Sequence, residues 1–279
     1  MQRCSTDKLV GVLLSVLLIL ATLPACKSQK HYDDSLGKDL LAAVSAKDVE
    51  RTRSLLDRHA NPNTLTEGGE PILFAVLLSM AFDVGEVVSG QISGDRQQAE
   101  TSQIVRLLLD AGANPDAKDK RGHPVLMAAF VRGGPDIVAD LIRAGASVKG
   151  AASSDSALIV EAAYSGNLKI VQLMLDAGAG VNQSRKDGTT ALLVATHKQK
   201  WDLTRYLIEK GADVNAHVSA GTALLFAAAA GNLEAVKLLV ANGADVNAKD
   251  NQNISPLSIA QKRNFQQVVD FLKSAGAKP

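Results

Sequence analysis

Gly211-Ala212-Asp213-Val214-Asn215 decides how this chain is read, because it recurs letter for letter at Gly243-Ala244-Asp245-Val246-Asn247. Weaker copies stand at Gly112-Ala113-Asn114-Pro115-Asp116, Gly145-Ala146-Ser147-Val148-Lys149 and Gly178-Ala179-Gly180-Val181-Asn182. His59-Ala60-Asn61-Pro62-Asn63 is an outlying copy, and Gly276-Ala277 opens another. From Gly112 onward the first residues follow at intervals of 33, 33, 33, 32 and 33 positions. His59 precedes Gly112 by 53, one period plus 20. A fixed period of this size marks a stacked array whose units cannot bury their apolar faces alone.

The unit follows from its residues. Each copy is preceded by a helical apolar pattern such as Val236, Leu238, Leu239 and Val240, with Glu234 and Lys237 on the other face. The glycine then supplies the left-handed backbone that ends a helix, a conformation costly for a residue with a Cβ. About ten residues later another glycine follows in most copies (Gly69, Gly122, Gly188, Gly221), and then a short Ala/Leu-rich helix such as Thr190-Ala191-Leu192-Leu193-Val194-Ala195. Gly166-Asn167 and Gly231-Asn232 make tight links to a longer second helix. The pattern predicts an all-α solenoid of about seven helix-turn-helix repeats with hairpin loops over residues 36–279.

These residues resemble ankyrin repeats. The likeness is strongest from Gly221-Thr222-Ala223-Leu224 to Ala228 and from Gly231-Asn232 to Leu239, and Ser255-Pro256-Leu257-Ser258-Ile259-Ala260 is similar to the family's Thr-Pro-Leu-His-x-Ala segment. One departure is systematic: Phe74, Met127, Val160, Leu193, Leu225 and Ser258 stand where the family has His. The resemblance implies that apolar packing replaces the inter-repeat hydrogen bonds of that His. It also implies a binding scaffold rather than an enzyme, with hairpin tips and the exposed side of the first helices lining a groove.

Composition agrees with a thin helical stack. The 279 residues are 46% hydrophobic but only 4% aromatic, so the core is built from Ala, Leu and Val. Outside residues 1–25, 28 basic residues meet 28 acidic ones. Such a balance gives no electrostatic case for nucleic acid.

Residues 1–25 belong to no repeat. Arg3 and Lys8 precede an apolar run of 15 residues, Leu9 to Leu23. That length suits a signal-peptide core of about 7–15 residues better than a bilayer span of about 20. Leu23-Pro24-Ala25-Cys26 resembles the lipobox of bacterial lipoproteins, which implies cleavage before Cys26, lipidation of its thiol and a bacterial envelope location facing the periplasm. Lys27 after Cys26 implies, by the same resemblance, the outer membrane. The mature chain then has no free thiol, since Cys4 and Cys26 are the only cysteines. Residues 26–35 read as a short, polar, flexible tether. An uncleaved anchor on a cytosolic adaptor is the alternative. Ankyrin lipoproteins of this kind include proteins that neutralise secreted toxins and proteins linked to peroxide defence.

The 20 extra residues lie near 80–101. They read as a partial extension of the preceding helix followed by a loop, either a neutral insertion or a recognition element. A small catalytic or metal site there is a further alternative, although no His-x-x-x-His or Glu-x-x-His spacing occurs anywhere. No cofactor is expected, and the chain reads as a monomer. His123 and His217 fall in hairpin loops, and Asp187 and Asp250 read as turn residues. Register carries Glu161, Val194, Phe226 and Ile259 to one groove position, and Val131, Tyr164, His197, Ala229 and Lys262 to another. Val131, Tyr164, Val194, Phe226 and Ile259 are therefore the candidate partner-binding residues, with Tyr164 and Phe226 as aromatic anchors. Trp201 takes a position where the repeat has Leu168 or Leu233, and is expected in the core.

Overall fold

The computed structural model describes residues 31–78, 93–149 and 157–278. Its helices come in seven pairs: α1 Gly37–Ser45 and α2 Val49–Asp57, α3 Ile72–Leu78 and α4 Ser93–Ala111, α5 Val125–Ala128 and α6 Gly134–Arg143, α7 Leu158–Ser165 and α8 Leu168–Asp176, α9 Ala191–His197 and α10 Trp201–Glu209, α11 Ala223–Ala230 and α12 Leu233–Ala241, α13 Pro256–Lys262 and α14 Gln266–Ser274. Each first helix packs on the first helix of the next pair. Ala223, Ala227 and Ala228 are almost wholly buried, and small side chains let neighbouring helices close to packing distance. Hairpins precede the first helices. The one before α11 pairs β1 His217–Val218 with β2 Gly221–Thr222, and single bridges close others, as between Ser184 and Thr190.

Side-chain caps explain the recurring polar residues. Thr190 and Thr222 accept from the backbone N–H groups of Leu193 and Leu225, while Ser255 and Ser258 cap each other's backbone at the start of α13. Asn167 and Asn232 do the same for α8 and α12. Where the family has His, Phe74, Val160, Leu193 and Leu225 are buried and Met127 is half-buried, so apolar packing takes that place there, whereas Ser258 hydrogen-bonds Ser255 instead.

The repeated pentapeptide joins the repeats. Gly211 and Gly243 hold φ of 82° and 86°, the left-handed stop. Asp213 accepts from the Asn215 N–H at 2.9 Å, which orients Asn215 towards the next copy. The Asn215 amide then donates to the Gly243 carbonyl at 2.9 Å and accepts from the Asp245 N–H at 2.8 Å. Asn182 repeats this towards Gly211 and Asp213, and Asn247 accepts from Lys278 N–H at the last copy.

Two expectations are corrected here. Residues 93–101, read as part of a loop, belong to α4, which runs for 19 residues where α8, α10, α12 and α14 have 9. Arg96, Gln97, Gln98, Ala99 and Glu100 favour helix, and the long helix carries that preference back from the buried Thr101 and Ile104. What is left of the insertion, 79–92, lies outside the described residues, as do residues 1–30, to which the expected signal segment, Cys26 and the first part of the expected tether belong. The second correction concerns residues 31–35. Asp33 bridges in parallel to Ala60 and donates its N–H to His59 O at 2.7 Å, and the Tyr32 hydroxyl donates to Ala111 O at 3.1 Å. Asp34 accepts from the Asn61 amide at 2.8 Å. This end of the tether is docked on the array because it satisfies backbone groups that a preceding repeat would otherwise cover.

Both terminal repeats are polar outside. Glu50, Arg51, Arg53 and Asp57 are exposed on α2, as are Gln266, Gln267 and Lys273 on α14. Stacked arrays need such ends to stay soluble.

Candidate functional site

The first helices α5, α7, α9, α11 and α13 begin after Pro124, Ala157, Thr190, Thr222 and Ser255. Counting seven residues from each start gives one column, the exposed Val131, Tyr164, His197 and Lys262 with the half-buried Ala229, which the exposed Leu78 of α3 continues. Among the described residues the exposed large hydrophobics are Leu65, Leu78, Val131 and Tyr164, at 57%, 49%, 76% and 40% of full exposure. Three of the four stand in this column on consecutive repeats, and Leu65 lies on the hairpin leading into α3. An open cleft of about 360 Å³ separates α5 from α7, lined by Met127, Phe130, Val131, Glu161, Tyr164 and Ser165.

A backbone irregularity shapes the cleft. In the last four pairs the left-handed residue after the first helix (Gly166, Gln199, Gly231, Asn264) comes nine positions after the helix cap. In the third pair it is Gly134, ten positions after Pro124, and the extra residue is absorbed by a π turn over Ala129–Gly133. Such turns are rare and concentrate at functional sites. Val131, the most exposed large apolar side chain among the described residues, sits in the middle of this one.

Arg185 braces the α7 side of the cleft. It lies on the hairpin before α9 and reaches back one repeat to Glu161, its Nε and Nη2 donating to Oε1 at 2.9 and 2.6 Å. Its Nη1 donates to the Tyr164 hydroxyl at 3.3 Å, and its guanidinium carbon is 4.5 Å from the Tyr164 ring centroid. Lys198 places Nζ 5.3 Å from the same centroid. Partial burial of Arg185 opposes its charge, but the hydrogen bonds and charge of Glu161, with Tyr164 adding to them, outweigh this and raise its pKa. Arg185 therefore stays cationic, and it holds Tyr164 in place.

Other hairpins use the residue at this position to brace themselves. Asp119 accepts from the backbone of Arg121 and His123, Asp250 from Gln252 and Ile254, and Thr66 from Glu70. Arginine cannot accept, so Asp187 takes over by accepting from Thr189 N–H, and the Arg185 side chain is left to reach back to Glu161 and Tyr164.

Of the sequence candidates, the structure brings Val131 and Tyr164 together. Val194, expected on the groove surface, is 4% exposed and lies in the core. It stands one turn before the exposed column, where α9 is pressed between α7 and α11 and a β-branched side chain fills the gap. Phe226 and Ile259, in the same inner column, are half-buried against the core, and the Phe226 ring meets His197 edge-on at 5.2 Å. Trp201 is likewise half-buried against the core. Sequence reasoning missed Arg185 and Leu78. The clue for the first is a cation where neighbouring hairpins carry Asp119, His217 and Asp250; for the π turn it is the doublet Gly133-Gly134.

A second cleft, between α4 and α6, is a structural clamp. The Asp140 carboxylate is almost fully buried there and accepts from Arg106 at 2.6 Å and Arg143 at 2.5 Å. The hydrogen bond that Arg106 donates to Asp140 raises the Arg106 pKa. Among the described residues no three His, Cys, Asp or Glu side chains gather closely enough to hold a metal ion.

The family model for ankyrin repeats matches residues 126–218, 158–250 and 218–279, more than half of the chain. The chain belongs to the ankyrin-repeat family. The ankyrin repeat domain of human ASB11 is similar in fold, with a TM-score of 0.67 at 22% identity, over 86% of this chain and 98% of that one. No curated protein matches the sequence. Ankyrin repeats indicate a protein–protein interaction module. The first two pairs fall outside the matched residues, in keeping with His59 in place of the glycine and the extra residues before α4.

Proposed function

We propose that this array captures a protein partner on the face made by its first helices, at the cleft between Val131 and Tyr164, without catalysing a reaction. The observation that carries this is the alignment of Leu78, Val131 and Tyr164, exposed large apolar side chains in one register on consecutive repeats. Apolar side chains scattered singly over a surface need no explanation, whereas a contiguous group on a rigid scaffold marks an interaction site. The cleft is preformed, so a partner avoids the cost of ordering a loop, about 1–2 kcal/mol per residue fixed.

The reading includes an address. Lipidation of Cys26 holds the array on the periplasmic side of a bacterial outer membrane, where neutralising a secreted toxin or supporting stress defence suits an anchored binder. The Leu23-Pro24-Ala25-Cys26 pattern and Lys27 support it. A Cys26→Ser variant loses a clickable fatty-acid label; equal labelling of variant and wild type contradicts the anchor.

Photo-crosslinking in cells tests the site. A crosslinking amino acid at position 131 or 164 yields a discrete adduct with another protein, while one at Arg205, exposed on α10, does not. Adducts confined to position 205 contradict the assignment.

A further inference from the structure

We infer that the partner segment seated on this face is acidic, an Asp/Glu-rich stretch that places a bulky apolar side chain in the Val131–Tyr164 cleft. The inference rests on the binding site proposed above and adds the chemistry of what fills it.

The first-helix layer of the array carries an excess of positive charge. From Val125 to Asn264 the first helices and the corners that follow them carry a single carboxylate, Glu161, against Arg132, Lys198, Lys200, Lys262 and Arg263. The second helices over the same span are nearly balanced: acids from Asp136 on α6 to Glu234 on α12 are accompanied by Arg143, Lys169, Arg205 and Lys237. The lone Glu161 is committed, since Oε1 takes two hydrogen bonds from Arg185. Lys198 stands beside the cleft at Tyr164, and Lys262 continues the exposed column at its far end. Lys118, Lys120 and Arg121 are exposed on the hairpin that leads into α5, the other wall of the cleft.

On the hairpins beside the cleft Lys118, Lys120, Arg121, Arg185 and Lys186 outnumber Asp119 and Asp187. The Asp119 and Asp187 carboxylates are turned to backbone N–H groups of their own loops. A partner meets an excess of cations distributed around an apolar seat. That arrangement attracts an acidic chain, speeds its encounter and repels a basic one. At the N-terminal end Glu67 and Glu70 reverse the sign, so the acidic segment runs from the third pair towards Lys262 in the seventh, with its apolar side chain in the cleft.

A random-peptide phage library selected against the full-length chain in detergent tests this. The expected winners carry Asp or Glu around Phe, Trp or Leu. A fluorescent representative loses about tenfold in affinity with Lys198→Glu and Lys262→Glu together, and weakens as salt rises. Replacing its acids by Lys abolishes binding to the wild type and restores it to the charge-reversed variant. Neutral or basic winners that are still lost with Val131→Asp overturn the acidic partner but leave the binding site standing. Winners indifferent to Val131→Asp overturn the site itself. A labelled oligothymidine that binds more tightly than any selected peptide also overturns the inference. Unchanged thermal melting of each variant separates loss of contact from loss of fold.

Discussion

Arg185 stacks on Tyr164 from one repeat further along the array, its guanidinium carbon 4.5 Å from the ring centroid, while the same side chain grips Glu161. A hairpin residue thus fixes an exposed aromatic side chain on the preceding helix. Cation–π contacts at partly exposed sites contribute about 0.5–1 kcal/mol, and a charge-assisted hydrogen bond about 1.5–3 kcal/mol. Arg185→Ala should therefore lower stability by about 1–3 kcal/mol in urea unfolding. The informative readout is coupling: the loss should shrink when Glu161 is already Gln, and additive losses would mean that the two do not act as a unit.

Asn215 makes two hydrogen bonds to the next repeat, to Gly243 and from Asp245. Asn247 makes one, from Lys278. Asn215→Ala should cost about 1–3 kcal/mol and Asn247→Ala less, because an internal defect weakens contacts that later repeats depend on. Equal losses in urea denaturation would contradict this nearest-neighbour account.

Gly231 holds φ of 70°, and a Cβ there would come within 2.8 Å of the Phe265 ring. Gly178 holds φ of 91° but nothing lies within 4 Å of its added Cβ. Gly178→Ala should cost about 1 kcal/mol from backbone strain alone, and Gly231→Ala more, since the aromatic ring must also move. Phe265→Ala in the Gly231→Ala background should recover part of the difference; no recovery would remove the steric explanation.

Leu239 is 0% exposed in the sixth pair. Leu239→Ala should destabilise by about 2–5 kcal/mol through lost burial and the cavity left behind. A loss under about 1 kcal/mol would mean that α12 presents a different face to the core.

Acid should loosen the hairpins in a defined window. Burial of Asp119 works against its charge, but hydrogen bonds from the backbone of His123 and Arg121 and from the His123 ring outweigh it and lower its pKa from 3.8. Asp187 is lowered by the Thr189 hydrogen bond. A carboxyl group with a depressed folded pKa contributes stability that is fully present above its unfolded pKa. That contribution is lost as pH falls through the lower, folded value. The melting difference between wild type and Asp119→Asn should therefore be constant near neutrality and shrink below about pH 4. A difference that grows on acidification would reverse the sign of this linkage.

The scaffold was legible because its determinants are local and repeated. Gly211 through Asn215 encodes a helix stop, a turn and a bridge to the next copy, and a motif that recurs at fixed spacing needs no knowledge of distant contacts. Exposure was harder to read. Val194 and Tyr164 belong to adjacent columns of the same helical face, and only the close stacking of α9 between α7 and α11 buries the first while the second stays open. The length of α4 was hidden because Ser93-Gly94-Asp95 opens it with loop-like residues. Arg185 was invisible for a different reason: its role depends on Glu161, 24 residues earlier and in another repeat. Long-range polar pairs of this kind have no periodic signature.

The central claim is that binding energy is concentrated at the Val131–Tyr164 cleft. Titration calorimetry with the partner recovered by crosslinking at position 131 tests it most directly, comparing wild type with Val131→Asp plus Tyr164→Ala, and with Phe226→Ala as the half-buried control. The account predicts a loss of about a hundredfold or more for the cleft variant, at unchanged helical content, and little change for the control. Wild-type affinity in the cleft variant, with loss in the control, would contradict it.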